Sequence, residues 1–128
     1  MKYGLHVGNG FSVTDPSVLR DVAQMAEEIG YESILIGDHV LPPQKINSPF
    51  PLPVENPQLD MYEKQTWPDC FVMLGFMAAA TIRVRLGTSV VILPYRHPVV
   101  MAKMITTLDR LSNGRIICGV GVGWIEEE

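Results

Sequence analysis

A chain of 128 residues, 47% of them hydrophobic, is long enough to bury one apolar core and too apolar to stay unfolded. Its net charge of −4 and ten scattered basic residues exclude the basic stripe that a nucleic-acid surface needs. No run is long and apolar enough to span a bilayer, and the N-terminus lacks the basic-then-apolar pattern of a signal peptide. Cys70 and Cys118 stand far apart with no metal-ligand spacing. Together these features predict a cytoplasmic protein with two reduced, buried thiols and neither a nucleic-acid nor a membrane partner.

In chain order, "YGLHVG" (3–8) reads as a first strand. A helix follows, with Asp15 as cap and Pro16 at its first position. Val18, Leu19, Val22, Met25, Ala26 and Ile29 form its apolar stripe, and Gly30 is placed to end it in a left-handed conformation. The second strand is "ESILIG" (32–37). A helix over about 67–81, starting at Pro68 and apolar nearly all round, is predicted to be well buried. "RVRLGTSVVIL" (83–93) is a third, unusually long strand. The last helix starts at Pro98, turns Val100, Met101, Met104, Ile105, Leu108 and Leu111 inward, and ends at Gly114. "RIICGVGV" (115–122) is the fourth strand.

The strand cores are nearly continuous in hydrophobicity, which predicts parallel strands covered on both faces and joined by right-handed crossovers. An open doubly wound sheet and part of a (β/α)8 barrel both fit this β-α-β order. A barrel needs about 250 residues, so this chain would hold its first half. The connection from Asp38 to Thr66 carries six prolines: Pro42, Pro43, Pro49, Pro51, Pro53 and Pro57. Such a long segment at the carboxyl end of a strand reads as a lid over a ligand, or as a surface insertion.

Candidate chemistry gathers at strand ends. In "ILIGDHV" (34–40) a buried strand runs straight into an acid and an imidazole. His39 has the residue type for proton transfer near neutral pH, and Asp38 could orient a ligand or cap a turn. Ser89 inside an apolar run needs a hydrogen-bond partner if buried, and marks either a bulge or a local backbone contact. "CGVGVG" (118–123) lacks the third glycine of a dinucleotide fingerprint, so its glycines predict close backbone approach to a ligand instead. Glu126, Glu127 and Glu128 read as a solvated helix start. No nucleophile elbow or phosphate loop is present in the sequence.

"GDH" after the second strand, "RLGTSVVILPYRHPVVMAKMITTLDRLSNGR" and "GVGVGWIEEE" resemble the bacterial luciferase-like superfamily. The branch they are most similar to is the coenzyme F420-dependent oxidoreductases, related to methylenetetrahydromethanopterin reductase. The resemblance covers essentially all of residues 1–128 as one incomplete domain. It implies an α/β fold, the N-terminal half of a (β/α)8 TIM barrel, with a deazaflavin at the carboxyl ends of four parallel strands. It implies that Asp38 contacts the deazaflavin and that His39 serves both as catalytic acid/base and in cofactor binding. Ser89 and Val90 match a dipeptide with a non-prolyl cis bond that backs the ring. Val122 and Gly123 match cofactor-contacting positions after the fourth strand, and Ile92, at another cofactor-binding position, stands where some members have threonine. Trp124 stands where the sugar-phosphate dehydrogenase branch has a catalytic glutamate, a departure that leaves His39 as the acid/base candidate and the substrate open. The implied activity is hydride transfer between F420 and a small organic substrate. An FMN-dependent monooxygenase on the same barrel is the alternative. A half-barrel also predicts open edges at strands one and four, hence a homodimer or higher homo-oligomer, or a non-catalytic truncated chain that self-associates.

Overall fold

The computed structural model describes residues 1–8, 15–41, 43, 45–49 and 67–128. In chain order the elements are β1 (Gly4–Val7), α1 (Pro16–Ile29), β2 (Ser33–Ile36), α2 (Cys70–Ala80), β3 (Arg85–Ile92), α3 (Pro98–Leu111) and β4 (Ile116–Gly121). A short 3-10 turn, Leu93–Tyr95, leads out of β3. All four strands are parallel, and their spatial order is β1-β2-β3-β4. A doubly wound sheet reverses direction partway through its strand order, whereas a barrel advances by one strand at each crossover. The observed order is therefore that of four consecutive barrel strands.

The same handedness settles where the helices lie. Right-handed crossovers that always step the same way put every helix on one face. Accordingly α1 packs on α2, and α2 on α3. Leu5, Ile34, Leu86 and Ile116 are register partners across the sheet and meet that helical layer. Ile34 and Leu86 are fully buried there, which contributes about 2 kcal/mol each. The prediction of strands covered on both faces is corrected: among the described residues no helix covers the face holding His6, Leu35, Gly87 and Ile117. Gly87 is required on that face, because a Cβ there would lie 2.6 Å from the Ile117 Cβ.

Helix boundaries follow local chemistry. Asp15 accepts from the Ser17 N–H, Pro16 opens α1, and Gly30 closes it at φ 95°. The side-chain acceptor at α2 is Asp69, which bonds the Phe71 and Val72 N–H groups, so that helix begins later than Pro68 suggests. At the end of α3, Ser112 already leaves the helix, and Asn113 and Gly114 both take positive φ. The apolar stripes are rotated from their predicted phase. In α1 the buried residues are Leu19, Ala23 and Ala26, while Val18, Met25 and Ile29 are exposed. In α3 Met101 and Leu108 are buried, while Val100 and Leu111 are exposed. α2, between two helices and the sheet, is the most buried of the three, although Val72 faces out. Cys70 is buried as predicted. Cys118 is exposed, which corrects the prediction of two buried thiols.

Candidate active site

Strand register places the chemistry. Ile36 of β2 pairs with Thr88 of β3, so the segment 37–40 and the dipeptide Ser89–Val90 emerge at the same, carboxyl end of the sheet. On the far side Ile92 pairs with Gly121, which brings Val122 and Gly123 to that end too. The Asp38–Thr66 connection starts here, but residues 42, 44 and 50–66 lie outside the described residues, and with them the lid prediction.

Two charged groupings organise this end. Asp38 is the centre of the first. Its carboxylate receives both terminal nitrogens of Arg96, at 2.9 Å for Nη2 to Oδ1, together with the Ile92 N–H at 3.0 Å and the Cys70 thiol at 3.5 Å. Arg96 also reaches Asp69 at 3.2 Å and lies over the Phe71 ring. Burial pushes the Asp38 carboxyl upward, but the Arg96 guanidinium and the Ile92 N–H outweigh it and hold the group below its ordinary value. The Cys70 thiol is pushed far up, by burial first and by the Asp38 charge second. It is a neutral donor, not a nucleophile. With its side chain 1% exposed, Asp38 is turned into the protein and satisfied by it. The resemblance gives it a direct cofactor contact; in this geometry it is the anchor that ties β2 to the end of β3.

His39 is the centre of the second grouping. Its Nδ1 lies 2.9 Å from Glu128 Oε2, and the Val40 N–H donates to Glu128 Oε1 at 2.7 Å. The Trp67 ring stands edge-on to the imidazole, with centroids 4.3 Å apart. Beside it Glu127 accepts from the Asn47 N–H, the Ser48 N–H and the Ser48 hydroxyl. The hydroxyl first, then the Asn47 N–H, draws the Glu127 carboxyl down to about 2. The predicted solvated helix start is thus corrected: Glu127 and Glu128 are ligands of the 38–49 segment, because the chain after β4 folds back across the end of β2.

The third feature is the platform between these groups. From Thr88↔Cys118 to Val91↔Val120, β3 uses one more residue than β4, and the Ser89–Val90 peptide is cis. The bulge expected at Ser89 is present: alternation leaves Ser89 on the face of Gly87, the extra residue leaves Val90 exposed beside it, and Val91 returns to the core. His6 Nε2 donates to the Ser89 carbonyl at 3.3 Å. Val90 and Val122 are exposed, Gly123 sits at φ 82°, and Ile92 is buried beneath. An open bulge with apolar Val90 suits the flat face of a flavin-type ring, and an ionisable imidazole lies at the same strand ends. The residues present fit that group. Arg96, Trp67 and Glu128 were not singled out as site residues from sequence; "YRHP" beside the long strand was the available signal for Arg96.

Comparison with known proteins gives these features a family. A family model for luciferase-like monooxygenases matches residues 3–128. An uncharacterized protein of Mycobacterium tuberculosis is 36% identical over all of this chain, which covers 44% of that protein. An F420-dependent glucose-6-phosphate dehydrogenase of Nakamurella multipartita is 39% identical over 84% of this chain and 27% of its own length. Among solved structures, the coenzyme F420-dependent tetrahydromethanopterin reductase of Methanopyrus kandleri superimposes with a TM-score of 0.67 at 24% identity, over 95% of this chain and 27% of that one. The oxygenating constituent of 3,6-diketocamphane monooxygenase from Pseudomonas putida, in complex with FMN, gives 0.68 at 20% identity, over 96% and 30%. The chain spans less than half the length of these relatives. Four parallel strands in barrel order, a bulge at their carboxyl ends and a family match across nearly every residue lead to one conclusion: the chain belongs to the luciferase-like monooxygenase family, as an N-terminal half of its TIM barrel.

Proposed function

We propose that this chain supplies the first half of an F420-dependent oxidoreductase site, acting in the cytoplasm on a small organic substrate. The observation that carries the reading is the convergence of His39 and the exposed Ser89–Val90 bulge at one end of the sheet. The deazaflavin, when bound, supplies the carbon that exchanges a hydride with the substrate. Ser89, Val90, Val122 and Gly123 would hold and back the ring, with Ile92 packed under them. Asp38 and Arg96 would keep the two strand ends at fixed separation. His39 would take or give the proton that accompanies the hydride, at the substrate atom next to the reacting carbon.

A second reading, an FMN-dependent monooxygenase, is favoured by the FMN-bound Pseudomonas putida relative of the same fold. Titration of the chain with F420 and, separately, with FMN, followed by fluorescence, tests both. Saturation by one alone names the branch, and binding of neither sinks a cofactor site in this half. In a complete F420-dependent relative, replacing the histidine that corresponds to His39 by alanine should lower turnover far more than cofactor affinity. Equal losses would remove the acid/base role.

β1 and β4 form the two edges of the four-stranded sheet among the described residues. Open edges of this kind pair with other chains, and we propose that the 128-residue chain self-associates, a second copy covering these edges. Light scattering showing a monodisperse monomer would contradict it.

A further inference from the structure

We propose that Glu128 is the positioning residue of His39, fixing both the tautomer and the direction of its imidazole. The proposal rests on the reading of His39 as the acid/base. Glu128 uses its two oxygens on one residue and the next: Oε2 meets the His39 ring at Nδ1, and Oε1 accepts from the Val40 backbone N–H. A carboxylate bridging a side chain and the adjoining backbone fixes the ring relative to its own strand end, which a single contact would leave free to rotate. An ionised carboxylate only accepts, so the neutral ring must place its proton on Nδ1 and its lone pair on Nε2. Nε2 is thereby made the basic nitrogen. Trp67, edge-on to the ring, removes much of the remaining rotational freedom.

Glu128 is itself held. Ile125 is 4% exposed, the Glu126 N–H donates to the Ser48 hydroxyl at 2.9 Å, and Glu127 grips Asn47 and Ser48. These contacts dock the segment after β4 onto the segment after β2 before Glu128 reaches the histidine. The Glu128 side chain is 1% exposed and that of His39 10%, so water competes little for the pair. A preorganised proton acceptor of this kind saves the substrate complex the cost of orienting it.

The test is a long-range proton–nitrogen NMR spectrum of the nitrogen-15-labelled 128-residue chain, without cofactor, at a pH where the ring is neutral. The expected result is His39 with Nδ1 protonated and Nε2 unprotonated. In Glu128→Gln one amide oxygen must serve two donors, and the ratio of the two tautomers should shift about tenfold toward Nε2–H. Glu128→Ala should shift it at least as far, and Glu126→Gln, which removes a neighbouring charge only, should leave it unchanged. Should Glu128→Ala fail to fold, the near-isosteric Glu128→Gln still decides. A wild-type ring protonated on Nε2, or an Nδ1–H form that survives in the folded variants, overturns the proposal. The spectrum is read without cofactor and the titration reads cofactor alone, so either idea can fail while the other stands.

Discussion

Two largely buried arginines stand at opposite ends of this sheet and are satisfied in opposite ways. Arg96, at the carboxyl end, is held by carboxylates: Asp38 through both terminal nitrogens, and Asp69. The guanidinium of Arg115, at the amino end, makes five hydrogen bonds among the described residues, none of them to a carboxylate. It donates to the Ala78, Thr81, Val84 and Ser112 carbonyls and to the Thr81 hydroxyl, closing the end of α2, the start of β3 and the turn before β4. Carbonyls left over at a helix end need donors, and a guanidinium supplies them in a planar fork. The Arg115 contacts therefore join a cation to neutral dipoles, whose strength does not vary with pH in the acid range. The carboxyl end is built from ionisable pairs. The two arginines thus differ in how their surroundings respond to pH.

Substitutions at the two arginines test this difference directly. The largest effect is expected for Arg115→Ala, which strands several buried carbonyls and should cost about 3 kcal/mol or more in urea unfolding, nearly unchanged between pH 4 and 8. A loss that grows or fades across that range would remove the contrast. Asp38→Asn leaves Arg96 without its main counter-charge and should cost about 2 kcal/mol at neutral pH. Because the folded Asp38 carboxyl is held below its ordinary 3.8, its contribution is complete above that value and is lost as pH falls through the lower folded value. The gap between wild type and Asp38→Asn should accordingly narrow in acid below about 3.8; a constant gap would show that the pair matters by shape and not by charge.

Smaller effects refine the picture. Glu27 accepts from the Ile82, Arg83 and Val84 N–H groups near the amino end. Burial works against its ionised form, yet those backbone donors prevail and lower its carboxyl. Glu27→Gln should cost about 1 kcal/mol in thermal unfolding and leave cofactor titrations unaltered. The mildest change is expected for Glu127→Gln: faster amide exchange at Asn47 and Ser48 with no measurable shift in the melting temperature.

Parts of the fold were legible because their causes are local. Asp15, Pro16 and Gly30 bracket α1 within a few bonds of the atoms they satisfy. The four apolar runs are the four strands, trimmed by one or two residues at their ends. Helix phase was less legible. Ala23 and Ala26 are buried in α1, and a side chain as small as Ala23 does not stand out in sequence beside the larger Val18 and Met25 that flank the contact. At the site, "GDH" pointed to the right strand end because an acid and an imidazole after a buried strand stand out locally. The partners that define what those two residues do come from elsewhere: Arg96 is 58 residues from Asp38, and Glu128 is 89 from His39.

The βα repeat could be read from sequence alone, since periodicity and caps are written in neighbouring residues, and the likeness of a few short motifs added the luciferase-like family. It took the folded chain to show that the three described helices share one face, that Asp38 points inward to Arg96, and that Glu127 and Glu128 grip the segment after β2. Those outcomes depend on strand register and crossover direction, which bring residues from distant positions to one sheet end and leave no trace in the spacing of any single stretch.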